Sequence, residues 1–290
     1  MSTPRPTGKL APALPLALVF LAAFVLPLVA LVAISLFRTP AFAELSPAQY
    51  LRFLGDPFSL RVLADTVMLG LEVALCALVL AYPLALVYVA SGPLIRTGLI
   101  FLILLPLLTS TVVRTFAWIV ILGRDGIVNS AMLSLGLWDS PARLLYSWGG
   151  LVLALTQIQL PLMALPLINS LLRLDGNLAR AAEGLGAGRV RAFVTVILPL
   201  TLPGAIAGLL LVFAAAATAF ITQTLIGGGR IILMPSYIYQ QSMGVQDWPF
   251  AAALSLIFTA AVIGIVAAIG ALSRRLTRGL DAARPLRPDL

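Results

Sequence analysis

The chain is a succession of apolar runs, each long enough to cross a membrane, separated by short stretches that carry nearly all of the charge. A helix needs about 20 apolar residues to span hydrocarbon. Six runs meet that length, at about 14–37, 66–90, 98–123, 144–172, 199–225 and 248–273. The first is uncharged and preceded by Arg5 and Lys9. Its apolar core is longer than that of a signal peptide and no convincing small-residue cleavage site follows, so it reads as an uncleaved anchor. The second run carries one acid, Glu72, and the third is interrupted only by Arg114. The fifth is expected to begin near Pro199, because proline suits the first helical turn, and to end at Gly227-Gly228-Gly229. None of the runs alternates apolar and polar positions with period two, which argues against barrel strands. The expected architecture is all-α. A six-helix transmembrane domain covers 14–273, with an N-terminal tail 1–13 and a basic C-terminal tail 274–290.

Composition agrees: 61% of residues are apolar and 10% charged, with mean hydropathy +1.06, where a soluble domain has about 25% charged residues. Placing both termini inside assigns twelve basic residues to the cytoplasm, among them Arg173, Arg180, Arg189, Arg191 and Arg274, against six outside. That asymmetry follows the positive-inside rule. The six outer arginines are matched by six outer acids and Glu72 offsets Arg114, so the net charge of +8 is entirely cytoplasmic. Topology and anionic lipid headgroups account for it without invoking nucleic acid.

The chain lacks the residues of several chemistries. It has no His, its single Cys76 sits mid-span where a small packing residue is expected, and its only Lys is Lys9. A phosphate-binding loop of the form G-x-x-x-x-G-K-[ST] cannot exist, since Gly8-Lys9 is followed by Leu10. No catalytic group, cofactor or metal is expected in this chain. If the protein uses ATP with Mg, another subunit must bind them.

Between the fourth and fifth runs, at about 173–198, lies a polar segment punctuated by glycine. It contains Arg180-Ala181-Ala182-Glu183-Gly184-Leu185-Gly186-Ala187 and continues through Phe193 to Leu198-Pro199 and Pro203-Gly204. Small alanines permit close approach to a partner, Gly186 permits a turn, and Phe193, Val196 and Ile197 can anchor a second arm. A short amphipathic helix over 178–190 resting on headgroups is the plainer reading of the same residues.

The segment resembles the docking element that permease subunits of ABC importers offer to their ATPase, with Ala181, Ala182, Leu185, Gly186, Ala187, Phe193, Leu198, Pro199, Pro203 and Gly204 in the family pattern. Arg180 stands where the family usually has Glu; Glu183, one turn on, is the compensating acid. The resemblance runs over about 62–273, through Arg114-Thr115-Phe116-Ala117-Trp118, Gly126-Ile127-Val128-Asn129, Leu160-Pro161, Gly227-Gly228-Gly229-Arg230 and Asp247-Trp248-Pro249-Phe250-Ala251-Ala252-Ala253. These blocks are similar to the first of the two permeases in spermidine/putrescine-type importers. That resemblance implies a type I permease bundle in a bacterial inner membrane, partnered by two copies of an ABC ATPase, a sister permease and a periplasmic solute-binding protein. Polyamine transport follows by analogy, with another small organic solute as the alternative. An ion-coupled transporter working alone is disfavoured by the scarcity of intramembrane acids and the absence of visible inverted halves.

Candidate translocation-path residues are those that are costly or polar at membrane depth. Glu72 and Arg114 are expected to face the bundle interior, and to pair with each other or serve structure. Gln157 on the fourth run and Thr222 and Gln223 on the fifth supply neutral polar groups, for which helix–helix hydrogen bonding competes with solute contact. Trp118, Trp138, Trp148 and Trp248 lie near run ends, as interfacial aromatics do. The charge asymmetry yields a direct test of topology. In a Cys76→Ala background, a cysteine introduced at Asp289 is expected to resist an impermeant thiol reagent on intact cells and to react after permeabilisation. Labelling from outside would overturn the orientation.

Overall fold

The computed structural model describes residues 14–41, 44–175 and 177–281 of the 290-residue chain. The expectations for Arg5, Lys9 and the last tail residues lie outside the described residues, as do the side chains of Arg180 and Glu183. Among the described residues the regular elements are all helices, apart from an isolated bridge between Phe37 and Leu45.

The helices are α1 (Leu14–Ser35), α2 (Ala48–Gly55), α3 (Pro57–Ala90), α4 (Pro93–Leu108), α5 (Thr111–Leu122), α6 (Ile127–Ser134) and α7 (Trp148–Leu172). They continue with α8 (Asn177–Gly184), α9 (Arg189–Ala192), α10 (Leu198–Ala217), α11 (Phe220–Gly227), α12 (Met234–Tyr239) and α13 (Trp248–Asp281). A π-turn, Phe193–Ile197, fuses α9 to α10, and a second, Gln240–Gly244, follows α12. Five helical runs are long and apolar enough to cross a membrane: Pro57–Ala90, Thr111–Ser134, Trp148–Leu172, Arg189–Ala217 and Trp248–Arg274. The described part of α1 and α4 are shorter apolar helices.

Two expected spans are not continuous helices. The run 98–123 is broken at Thr109 and Ser110, both extended, just after the interior Pro106 of α4. The fifth run begins well before Pro199, at Arg189, and passes through the π-turn. Pro199 cannot donate a backbone hydrogen bond, and a local π adjustment is one way a membrane helix absorbs such a residue. The run then stops at Ala217, is interrupted at Thr218 and Ala219, and resumes as α11 until Gly227.

The contacts divide the chain into two units, one drawn from residues up to Arg61 with Tyr237–Ala260, the other from Val62–Ser236 with the residues from Ala261 on. In the first unit, Asp247 caps α13 through the Phe250 amide at 3.2 Å and pairs with Arg52 at 2.7 Å. The Arg52 guanidinium lies 3.9 Å over the centre of the Phe250 ring, and Phe250 meets Tyr237 edge-on. The Asp-Trp-Pro-Phe block noted in the sequence thus starts a helix and anchors its first turn. Asp56 caps α3 in the same unit, accepting from the Phe58 and Ser59 amides and the Ser59 hydroxyl. The Ser59 hydroxyl bond is the main reason its carboxyl sits below the ordinary carboxylate range.

In the second unit, α3 buries a ridge at every fourth residue, Leu69, Val73, Ala77, Ala81 and Ala85, in one core with Leu151, Leu155, Met163 and Leu167 of α7 and Val212, Phe213 and Ala216 of α10. The most extensive helix pair is α7 with α10. Lipid is as apolar as this core, so close packing and hydrogen bonds, rather than escape from water, must hold the pair. Gly204 and Gly208 supply that closeness. A Cβ on Gly208 would lie 2.5 Å from Met163 Sδ and 3.2 Å from Met163 Cα. Gly208→Leu is therefore expected to destabilise the protein by about 1–3 kcal/mol through overpacking, read as a lower unfolding midpoint in detergent. Gly264→Leu, at a position with nothing within 4 Å, is the matched control and is expected to be neutral.

Candidate functional site

The loop between α7 and α10 has a defined geometry. Asp175 opens α8, its carboxylate accepting from the Asn177 amide at 2.9 Å and its carbonyl from the Leu178 amide at 3.0 Å. The helix closes with Gly186 at φ 85°, the Ala187 amide donating to the Ala182 carbonyl at 3.0 Å and the Leu185 amide to Ala181 at 3.1 Å. A left-handed residue followed by this six-to-one bond is the Schellman motif, in which glycine avoids the Cβ penalty. The turn gathers Ala181, Ala182, Leu185, Gly186 and Ala187 at one tip. It leaves Leu185 90% and Val190 78% exposed. These apolar side chains have no partner within the chain's core.

The second arm is fixed to the bundle. The Phe193 ring meets Tyr82 of α3 edge-on, with centroids 5.3 Å apart. The Tyr82 hydroxyl shares a hydrogen bond with Thr201 of α10, and Thr201 also donates to the Ile197 carbonyl at 2.9 Å. The signals for this anchor in the sequence are a Tyr within the second run and a Thr two residues past Pro199. Pro199 itself lies in the first turn of α10. Beneath the arm, Leu178 of α8, Leu86 and Val89 of α3, and Val196 and Ile197 line a cavity of about 240 Å³.

The candidate path residues fall into two places. Helix α5 collects most of them. Arg114 donates to the Ile158 carbonyl of α7 and to Thr111, each at 3.2 Å. One helical turn on, Trp118 donates to Gln157 of α7 at 3.0 Å. Thr115, fully buried between them in sequence, pairs with Thr222 of α11 at 3.0 Å. Gln223 donates to the Ala216 and Ala217 carbonyls at 2.7 and 3.2 Å, in the last turn of α10, where the helix leaves carbonyls short of intrahelical partners. Thr222 and Gln223 are each 1% exposed. Glu72 lies apart from this junction, so the expected pairing with Arg114 is not made. Its carboxyl accepts instead from Trp148 Nε1 at 2.6 Å, across an apolar groove of about 560 Å³ that also contains Cys76 and Thr156. Cys76 is exposed in that groove rather than packed in a core, because the α3 stripe that faces inward is the one carrying Ala77. Trp118 and Trp148, read as interfacial aromatics, are the hydrogen-bond partners of Gln157 and Glu72. The four-residue spacing of Arg114 and Trp118, which puts both on one face, could have suggested a shared neighbour.

Among the described residues no group of acids, His or Cys could hold a metal ion. The geometry is that of an α-helical membrane bundle with a polar loop, closed by a glycine turn, between α7 and α10. No family model matches the chain. Over 210 residues it is 36% identical to the spermidine/putrescine transport system permease protein PotB of Escherichia coli (strain K12), covering 72% of this chain and 76% of that protein. It is 32% identical over 216 residues to the molybdenum transport system permease protein ModB of Haemophilus influenzae, covering 67% and 89%. A bacterial ABC transporter chain involved in importing the acidic polysaccharide alginate shares the fold, with TM-score 0.75 at 17% identity over 92% of this chain and 95% of that one. The chain belongs to the permease subunits of ABC importers, and is an inner-membrane transport protein.

The Glu72–Trp148 contact can be tested apart from transport. Trp148→Phe removes the donor and is expected to lower stability by about 1 kcal/mol. Glu72→Gln keeps an acceptor oxygen and is expected to cost less. An unchanged unfolding midpoint of Trp148→Phe in detergent would show that the contact carries no stability.

Proposed function

We propose that this chain is one of two permeases in an ATP-driven importer that moves a polyamine of the spermidine/putrescine class, delivered by a periplasmic binding protein. Both termini and the 173–198 loop face the cytoplasm, where the loop docks in a groove of an ABC ATPase. ATP and Mg bind in that partner, whose two copies close on nucleotide. The closure moves the loop, and the bundle changes which side its path is open to. This chain supplies positioning and pathway and breaks no bond.

The observation that carries the reading is the build of the loop. Its tip is fixed by the Gly186 turn and presents Leu185 and Val190 outward, while its base is tied through Phe193 and Tyr82 to the core of α3 and α10. A displacement applied at such a tip is passed to the bundle rather than absorbed. The polyamine assignment is supported by the relatives named for spermidine and putrescine. The relative named for molybdenum transport keeps a second reading open, the same permease role for another solute.

Gly186 gives the test. A β-branched residue at positive φ is strained by about 1–3 kcal/mol, whereas Asn tolerates the left-handed region. With the ATPase, sister permease and binding protein reconstituted in proteoliposomes, Gly186→Val is expected to abolish ATP-driven spermidine uptake while the chain still inserts. Gly186→Asn is expected to retain most of it. Normal uptake by Gly186→Val with the ATPase bound would overturn the coupling role, and uptake of molybdate in place of spermidine would move the solute to the second reading.

A further inference from the structure

Arg124, Arg143 and Arg230 come from three separate segments, the α5–α6 turn, the loop before α7 and the stretch after α11, and line one cavity of about 350 Å³. The remaining lining residues, including Pro141, Ala142 and Tyr146, bring no acid. All three arginines are solvent-exposed. Among the described residues the two ion pairs, Arg38–Glu44 and Arg52–Asp247, do not involve them. The outer loops sum to zero charge in sequence, yet here the positive charge is concentrated.

The walls of the cavity are firmly built. Asn129, fully buried, accepts from the Ala142 amide at 2.8 Å and donates to the Gly123 and Ala142 carbonyls. The Leu145 amide donates to the Leu122 carbonyl at 3.2 Å and the Tyr146 amide to the Ile226 carbonyl at 3.1 Å. Tyr146 is held at φ 60°, an uncommon conformation for a non-glycine residue. Its ring lies where a side chain on Gly228 would be, and the Arg230 guanidinium sits 6.0 Å from the ring centre. Strain maintained by surrounding hydrogen bonds is characteristic of ligand-holding sites.

We propose that this pocket receives carboxylate side chains presented by the periplasmic binding protein. The proposal rests on the importer reading above, which puts these three arginines on the outer face. Guanidinium forks match carboxylates with paired hydrogen bonds, and three of them with no internal acid repel a polyamine cation. The pocket is therefore a dock for the delivering protein and no waiting place for the solute. Because the charges stand at an exposed rim, they act mainly on encounter and on salt dependence.

The test uses the reconstituted transporter and purified binding protein, with affinity measured across a range of ionic strength. Replacing Arg124, Arg143 and Arg230 together by Gln is expected to raise the Kd of the binding protein at least about tenfold at low salt and to flatten its salt dependence. Replacing all three by Lys keeps the charge and is expected to restore most of the affinity. Subunit assembly, followed by size-exclusion chromatography, monitors folding. Unchanged affinity and salt dependence in the Gln variant, with the wild type binding normally, would overturn the dock and leave the importer reading intact. Loss of uptake at unchanged binding-protein affinity would likewise overturn it, since the arginines would then act elsewhere than in docking. If no binding protein engages the wild-type transporter, the importer reading itself falls, and the dock with it.

Discussion

Hydrocarbon offers no hydrogen bonds, so every place where this chain interrupts a helix at membrane depth must be satisfied from within the protein. The interruptions are few and each has an identifiable answer. Where α10 stops, the Gln223 amide caps the Ala216 and Ala217 carbonyls. Where α4 gives way to α5, the Thr109 amide and hydroxyl both turn back to Pro106. The connection between the second and third runs is closed in the same way, Arg96 on α4 donating to the Tyr88 and Val89 carbonyls. The polar residues that stand out in an apolar sequence are in large part the residues these breaks require.

That requirement links the candidate path to the framework. Arg114, Trp118 and Thr115 tie α5 to α7 and α11, and each bond uses a group that would be costly if left facing lipid. Two buried atoms at this junction, Arg114 Nε and Gln223 Oε1, have no partner within the described residues. A group that is committed on one side and open on the other can hold two helices together and still respond when they move.

The loop at the other end works by the opposite property. Its α8 turn closes on itself through backbone bonds and needs little from its side chains, so it can leave Leu185 and Val190 exposed. Exposed large apolar residues are unremarkable on the lipid-facing sides of the helices; on a polar loop they are the feature from which the proposed docking starts. The π-turn and the Phe193–Tyr82 contact join that surface to the helix pair at the centre of the second unit.

The sequence by itself determined that this is an α-helical membrane protein, where its apolar runs lie, and which loop resembles a docking element. These properties are read from local composition, since a run of about 20 apolar residues has few other fates. Gly186 was legible too, because a turn after Ala-Ala at that spacing calls for a residue free of Cβ. Other features depended on tertiary structure. The break in the third run turned on how Thr109 and Ser110 could be satisfied, and the start of the fifth on a π-turn upstream of Pro199. Glu72 found Trp148 rather than Arg114 because α3 meets the first turn of α7 there, a partnership between residues 76 positions apart. The arginine pocket is the clearest case. A charge sum over loops is blind to position, and only folding brought Arg124, Arg143 and Arg230 around one cavity.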